Sequence, residues 1–380
     1  MPMQRSAEYW ARRALARMDE TQLAAERRLS ALAAPYRRAQ AALLVQIRGI
    51  QESYMRRYGV DEEDAREFLS RPADERTLRR LARQVAQMPE GTEKRRLQAR
   101  LNAPATRHRI TYLQSIREQV RAITETLSEQ EQRLVTDSLT LSIRESALEE
   151  AYDLQRRAAV LWMPGGVSDN FIRQTLREDW SGENYKTRIE GRYEDLAERV
   201  REGIVEAFLG GRNYAQTAEE IAHEFGTAYH AAKRLLVTET TYVTNAANVE
   251  TYKREGAKEY RIVAVLDMKT SDICQEQDGK IYPVAEAEAG ENLPPFHPNC
   301  RSTTISVISR EWLATVERRA KDPVTGEITR LAPGTTYPEW LKMLEEKYGR
   351  DKIDALRKNE QERTRAKNAA VQKKIDRAKT

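Results

Sequence analysis

The sequence specifies a mainly α fold with a small α+β module near the C-terminus, and three observations predict it. Charged residues make up 32% against 40% hydrophobic, and Gly and Pro together number 30 in 380 residues, a composition suited to helices more than to turn-rich β structure. Through most of the chain, apolar residues recur at spacings of three and four, the helical period. After Gly256 the pattern changes to short β-branched runs separated by Gly, Pro and Asn, which reads as strands and turns. The length allows two or three domains and at least one sizeable core.

In chain order, Leu29, Leu32, Tyr36, Ala39, Leu43, Ile47, Ile50 and Tyr54 fall on one helical stripe that needs a partner surface. Pro35 predicts a kink or break there, and Gly59 offers a left-handed stop after residue 58. Val60-Asp61-Glu62-Glu63-Asp64 places carboxylates where a helix N-terminus favours negative charge. Pro72, Pro89-Glu90-Gly91 and Pro104 punctuate the helices that follow, and Thr106 to about Trp162 reads as one long helix. Pro164-Gly165-Gly166 is the first strong boundary. Ser168 or Asp169 caps a helix near Phe171, Ser181-Gly182 opens another, and Gly210-Gly211 closes it. Phe225-Gly226-Thr227 is expected to turn into a helix from His230 to Glu255.

Three strands are expected at 260–266, 280–284 and 302–308, then a turn at Asp322 to Gly326 between two extended pieces, then a helix entered at Tyr337-Pro338-Glu339-Trp340. The expected organisation is a helical N-terminal bundle over 1–163, a helical middle region over 164–226, an α/β module over 227–310, a short hairpin and helix over 311–362, and a basic helical tail over 363–380. No internal repeat is visible.

The net charge of +5 conceals an uneven distribution. Residues 1–60 hold eleven Arg against five acidic residues, and 363–380 holds seven basic residues against one acidic. Arg363, Arg365, Lys367, Lys373, Lys374, Arg377 and Lys379 are therefore candidate phosphate contacts, which would be sequence-independent and salt-sensitive. The segment has no aromatic residue for base stacking, and a solvated helix end accounts for it equally well. No run approaches the roughly 18 apolar residues that span a bilayer, and the N-terminus lacks a secretory apolar run. The expectation is synthesis and assembly in the cytoplasm with no membrane partner.

The chemistry-bearing residues concentrate between Asp267 and Thr304. Cys274, His297 and Cys300 are a soft-to-borderline donor set that suits zinc, with Asp272, Asp278, a water or His230 as the fourth donor. Two further readings fit the same residues. The thiols act as small buried apolar groups while His297 bonds loop backbone, or a cysteine and His297 form a nucleophilic dyad. Asp278-Gly279 suits a turn before a strand. Thr238-Glu239-Thr240-Thr241, Asn245 and Asn248 either pack against the Cys/His loop or face water, with Glu239 expected to pair with Arg or Lys.

The order Asp267, Thr270-Ser271, Cys274, Asp278-Gly279, Pro294-Pro295-x-His297-Pro298-x-Cys300-Arg301-Ser302-Thr303-Thr304, with Glu239 upstream, resembles the Mu F-like domain of phage minor head proteins, the head morphogenesis family. Tyr9-Trp10-Ala11 and Thr336-Tyr337-Pro338-Glu339-Trp340 also look like minor capsid proteins of phages of Gram-positive bacteria. Many family members carry Cys-x-x-Cys and Cys-Arg-Cys, where this chain has Gln277 and Ser302. The resemblance implies a non-enzymatic head protein of a tailed phage or prophage, located in the virion or procapsid. Its partners would be portal, scaffold or major capsid protein and phage DNA, in head assembly and DNA packaging or delivery. The competing readings are a metal-assisted or Cys-dependent enzyme, such as a nuclease or prophage toxin, and a DNA-binding chromosomal protein.

Overall fold

A computed structural model describes residues 7–61, 75–102, 106–158, 166–210, 214–307, 318–332, 335–360 and 362. The basic segment from Arg363 to Lys379, the breaks at Pro72, Pro104 and Pro164-Gly165, and most of the helix expected after Val60 lie outside them.

The helices are α1 (Ala7–Leu29), α2 (Ala33–Tyr58), α3 (Glu75–Gln87), α4 (Thr92–Asn102), α5 (Thr106–Ala158), α6 (Asp169–Arg177), α7 (Tyr185–Gly210), α8 (Tyr214–Arg254), α9 (Asp272–Gln277), α10 (Tyr337–Tyr348) and α11 (350–360). The strands are β1 (Glu259–Val263), β2 (Ile281–Pro283), β3 (Thr303–Val307), β4 (Arg318–Lys321) and β5 (Ile328–Leu331). The architecture is mainly α with a small α+β module towards the C-terminus. Among the described residues no helix is long and apolar enough to cross a membrane.

Local chemistry explains the boundaries. A 3-10 turn at Ser30–Leu32 separates α1 from α2, so Pro35 falls in the first turn of α2, where backbone N–H groups have no partner within the helix. Gly59 closes α2 at φ 63°. Ser168 caps α6 by accepting the Phe171 amide at 3.1 Å. Thr336 and Glu339 close a reciprocal capping box on α10. The expected turn at Phe225-Gly226-Thr227 does not occur, because α8 runs through it. A single Gly costs a helix only about 1 kcal/mol, and Ile221, Phe225, Ala228 and Ala232 bury their side chains on both sides of it.

Among the described residues the chain divides into two compact units, 7–30 with 132–187 and 231–362, and 31–131 with 188–230. In the first unit the three-stranded sheet has the order β2-β1-β3, antiparallel throughout, with Tyr260 opposite Tyr282 and Ser306. Successive residues of a strand point to opposite faces. Val263, Ile305 and Val307 accordingly pack with Ala11 and Ala14 of α1, while Tyr260 and Ile262 pack with Leu154, Val249 and Tyr252. The hairpin β4-β5 packs with α10 around Leu266, Tyr337, Trp340 and Leu344. Its turn is held by Asp322, which accepts the amides of Val324 and Thr325 and the hydroxyl of Tyr348.

The second unit buries Leu32, Tyr36, Ala39 and Leu43 of the α2 stripe. At its centre Glu131, 0% exposed, pairs with Arg192 and accepts the Tyr193 hydroxyl at 2.9 Å. Burial and the Glu131 carboxylate both push the Tyr36 phenol up.

Candidate functional site

The Cys/His loop is built between the ends of β1 and β3. Asp267, just past β1, accepts Lys269 N at 3.0 Å and Thr270 Oγ1 at 3.1 Å, which turns the chain into α9. Arg301, just before β3, grips the same carboxylate through two bonds of 2.7 and 2.8 Å, so the loop is clasped at its base by a bidentate ion pair.

Inside that clasp Cys274 projects from α9 into a small apolar cluster with Ala264 and Cys300. Its Sγ lies 3.1 Å from Nε2 of His297 and 3.6 Å from Sγ of Cys300. The three donor atoms lie within 4.8 Å of one another. The segment carrying His297 starts at the buried Pro294 and Pro295, joined by a cis peptide bond. The His297 Nδ1 is 2.8 Å from the Pro298 carbonyl, so Nδ1–H donates to that oxygen and Nε2 faces the sulfur as an acceptor. Pro298 and Asn299 are exposed. Asn299 adopts φ 59°, a left-handed conformation that Asn tolerates better than most residues.

The polar face of α8 packs against this loop. The Asn299 amide donates to Thr238 Oγ1 at 3.0 Å, and the Cys300 carbonyl accepts from Thr241 Oγ1 at 2.9 Å and from Gln22 Nε2 at 2.8 Å. Asn245 donates to the carbonyl of the buried Ser302 at 3.4 Å and accepts the Thr303 hydroxyl at 3.3 Å. Glu239 is buried and accepts the indole N–H of Trp180 at 3.0 Å; Trp180 in turn stacks on Tyr242.

The two thiols polarise each other. Cys274 is pushed up to about 12, first by its hydrogen bond with Cys300 and then by burial. Cys300 is pulled down to about 6 by the same contact. His297 is raised by its bond to Cys274. A dyad needs a thiolate beside the histidine, with the ring oriented by a third group. Here the sulfur that faces His297 is the harder one to ionise, and the ring is oriented by a backbone carbonyl, so the geometry favours holding the loop, or an ion, over nucleophilic attack.

The Asp278-Gly279 pair has a wider role than a turn. Asp278 is buried and accepts the Ala264 amide at 2.8 Å, the Tyr337 amide at 2.8 Å and the Arg318 guanidinium. It thereby ties β1, β4 and α10 together. Gly279 takes φ +82°, and a Cβ there would lie 2.7 Å from Cγ2 of Thr336 and 3.2 Å from the Arg261 guanidinium, so both the backbone and the space require glycine.

Of the donors considered for a fourth ligand, Asp278 is committed to these bonds. Asp272 is exposed, 3.4 Å from Arg357, and His230 is exposed and belongs to the second unit. Gln277 accepts the Tyr282 hydroxyl at 2.7 Å. Sequence reading missed Gln22, Arg318 and the Tyr337 amide. Gln22 left a signal, since it stands in the helical phase of Met18, Ala25 and Leu29, all buried. Arg318 left none.

The clasp has a pH consequence. Burial pushes the Asp267 carboxyl up, but the Arg301 bonds outweigh it and the net shift is downward. A carboxyl depressed in the folded state adds stability above its unfolded pKa of about 3.9 and loses it as pH falls through the folded value. Wild-type protein should therefore lose more stability between pH 5 and 3 than Asp267→Asn, measured by chemical denaturation at each pH; equal losses would remove the clasp as a cause.

A mainly helical protein whose compact α/β module is closed by an Asp–Arg clasp and a Cys–His–Cys cluster is the class that fold and site define. Residues 198–305 match the family described as Phage Mu protein F like protein. The chain thus carries a Mu F-like domain over these residues. Of the curated proteins, the NAD(+)--arginine ADP-ribosyltransferase EFV of Enterococcus faecalis is 23% identical over 218 residues, covering 54% of this chain and 45% of that protein. The chain spans less than half the length of that relative. No solved structure matches.

Proposed function

We propose that this chain is a minor head protein of a tailed phage or prophage, acting in head assembly and in DNA packaging or delivery through protein contacts. The observation that carries the reading is the family match over 198–305, a stretch that contains α8, β1, β2, the start of β3 and the whole Cys/His loop. The interior of the module supports it, because Asn245, Asp267, Asp278 and Arg301 spend their polar atoms on fixing loops and strands. That suits a rigid body presented to portal, scaffold or major capsid protein. The basic segment 363–380, with seven cationic residues against one acidic, supplies non-specific phosphate contact with packaged DNA in this reading.

The test is to raise antibody to the chain and probe procapsids and mature particles induced from the strain that encodes it. The expected result is the chain in both, co-purifying with the portal vertex at low copy. Absence from both particle types overturns the proposal.

A further inference from the structure

We infer that Cys274, His297 and Cys300 bind one Zn2+ ion, with a water molecule in the fourth position. A tetrahedral zinc ion with bonds of about 2.3 Å to sulfur and 2.0–2.1 Å to nitrogen holds two sulfurs about 3.8 Å apart and a sulfur and a nitrogen about 3.5 Å apart. The cluster has the two sulfurs at 3.6 Å and Cys274 Sγ to His297 Nε2 at 3.1 Å, with all three donors inside 4.8 Å. For the two pairs that include Cys274, outward movements of a few tenths of an ångström reach the zinc distances.

Three further features fit. His297 is in the tautomer a metal needs, with Nδ1–H tied to the Pro298 carbonyl at 2.8 Å and Nε2 directed at the thiols, the outer-shell arrangement that fixes metal-ligating histidines. The backbone that carries Cys300 is pinned by Thr241 and Gln22 at its carbonyl, so the donor is positioned before any ion arrives. The charge balances as well: in the bound state Cys274 and Cys300 are both thiolates, any thiol proton still held having left to solvent, and two thiolates neutralise the dication. The complex is thus neutral where Cys274 and Cys300 are 2% and 0% exposed, which avoids burying net charge. Two sulfurs and an imidazole select zinc over Mg2+ or Ca2+, which need oxygen donors. Among the described residues no fourth His, Cys, Asp or Glu joins the group, which leaves the last coordination site to water.

The test is independent of the head-protein reading, because it uses the purified full chain expressed in a reducing cytoplasm. Elemental analysis should find about one zinc per chain. Chelator-stripped protein titrated with Co2+ should give tetrahedral d–d bands and thiolate-to-cobalt charge transfer at one equivalent, with zinc displacing the cobalt and protons released on binding. The partly exposed His297 allows His297→Gln without disturbing the core, and this variant should bind Co2+ at least about 10-fold more weakly, on the scale of effects at metal sites. Cys274→Ser with Cys300→Ser should remove the charge-transfer band while circular dichroism shows helix retained; if that pair unfolds, the His297→Gln titration decides. A folded chain with zinc far below one equivalent and no Co2+ spectrum overturns the inference, as does a Cys274–Cys300 disulfide in the isolated protein.

Discussion

Replacing Glu150 with Ala is expected to destabilise the first unit by about 3–5 kcal/mol, the range for removing one partner of a buried ion pair. Glu150 is 0% exposed, between Arg17 and Arg157, themselves 8% and 5% exposed, and both guanidinium groups bond its carboxylate. Asp153, one turn on, holds Arg13 through bonds of 2.7 and 2.8 Å. Burial pushes the Glu150 carboxyl up, but Arg157 and Arg17 outweigh it and the net shift is downward, so the group is ionised at neutral pH. Without it, three guanidinium groups would share one carboxylate, two of them away from water. Arg157 also donates to Ser306 on β3 at 3.0 Å and lies over the Trp10 ring, so the loss should spread to the seat of α1 on the sheet. Thermal unfolding of Glu150→Ala, with faster proteolysis inside residues 7–29, checks this. Glu150→Gln, which keeps an acceptor and drops the charge, should fall in between. A change below about 1 kcal/mol for the Ala variant would sink the claim that the cluster anchors α1.

That cluster also shows where the sequence is legible and where it is not. The helical stripes, the strands at 260, 281 and 303, the Gly59 stop and the Ser168 cap depend on neighbours within a few residues, so spacing and turn chemistry reveal them. On α5 the apolar set Val135, Leu139, Ile143, Ala147 and Leu154 is equally plain, but Ser138, Ser142, Ser146, Glu150 and Asp153 are buried beside it. By residue type they belong on a solvated face. Their burial depends on groups such as Arg17, 133 residues from Glu150, and one-dimensional periodicity carries no trace of such partners. The Cys/His loop divides in the same way. Cys274, His297 and Cys300 stand out because their types are rare, and the Thr238 to Thr241 run is a visible candidate partner, while Gln22, which also holds the Cys300 carbonyl, is a common residue on a distant helix. The Phe225-Gly226-Thr227 error has the opposite cause: a local breaker overridden by burial on both sides.

Asp278→Ala should be as damaging as Glu150→Ala, for a different reason. Asp278 is 4% exposed and serves three donors, the amides of Ala264 and Tyr337 and the guanidinium of Arg318, itself 6% exposed. Arg318 also donates to the Ala264 carbonyl at 2.6 Å and the Thr335 carbonyl at 3.2 Å, so it cannot swing to solvent without breaking the seam between β1 and the hairpin. Truncating Asp278 leaves a buried cation with no counter-charge, at about 3–5 kcal/mol, and exposes two buried N–H groups to costs of about 1–3 kcal/mol each. These terms overlap and do not simply add, so the expected total is at least about 3–5 kcal/mol. Hydrogen exchange localises it: the amides of Ala264 and Tyr337 should lose protection before those of Tyr193 and Leu196 in the second unit. A double-mutant cycle separates charge from shape. Asp278→Leu combined with Arg318→Met removes both charges, so the pair should cost less than the sum of the two single changes, with the difference reporting the stranded cation. Simple additivity would mean that Arg318 finds another counter-charge, and Asp278 would then be a turn residue and no more.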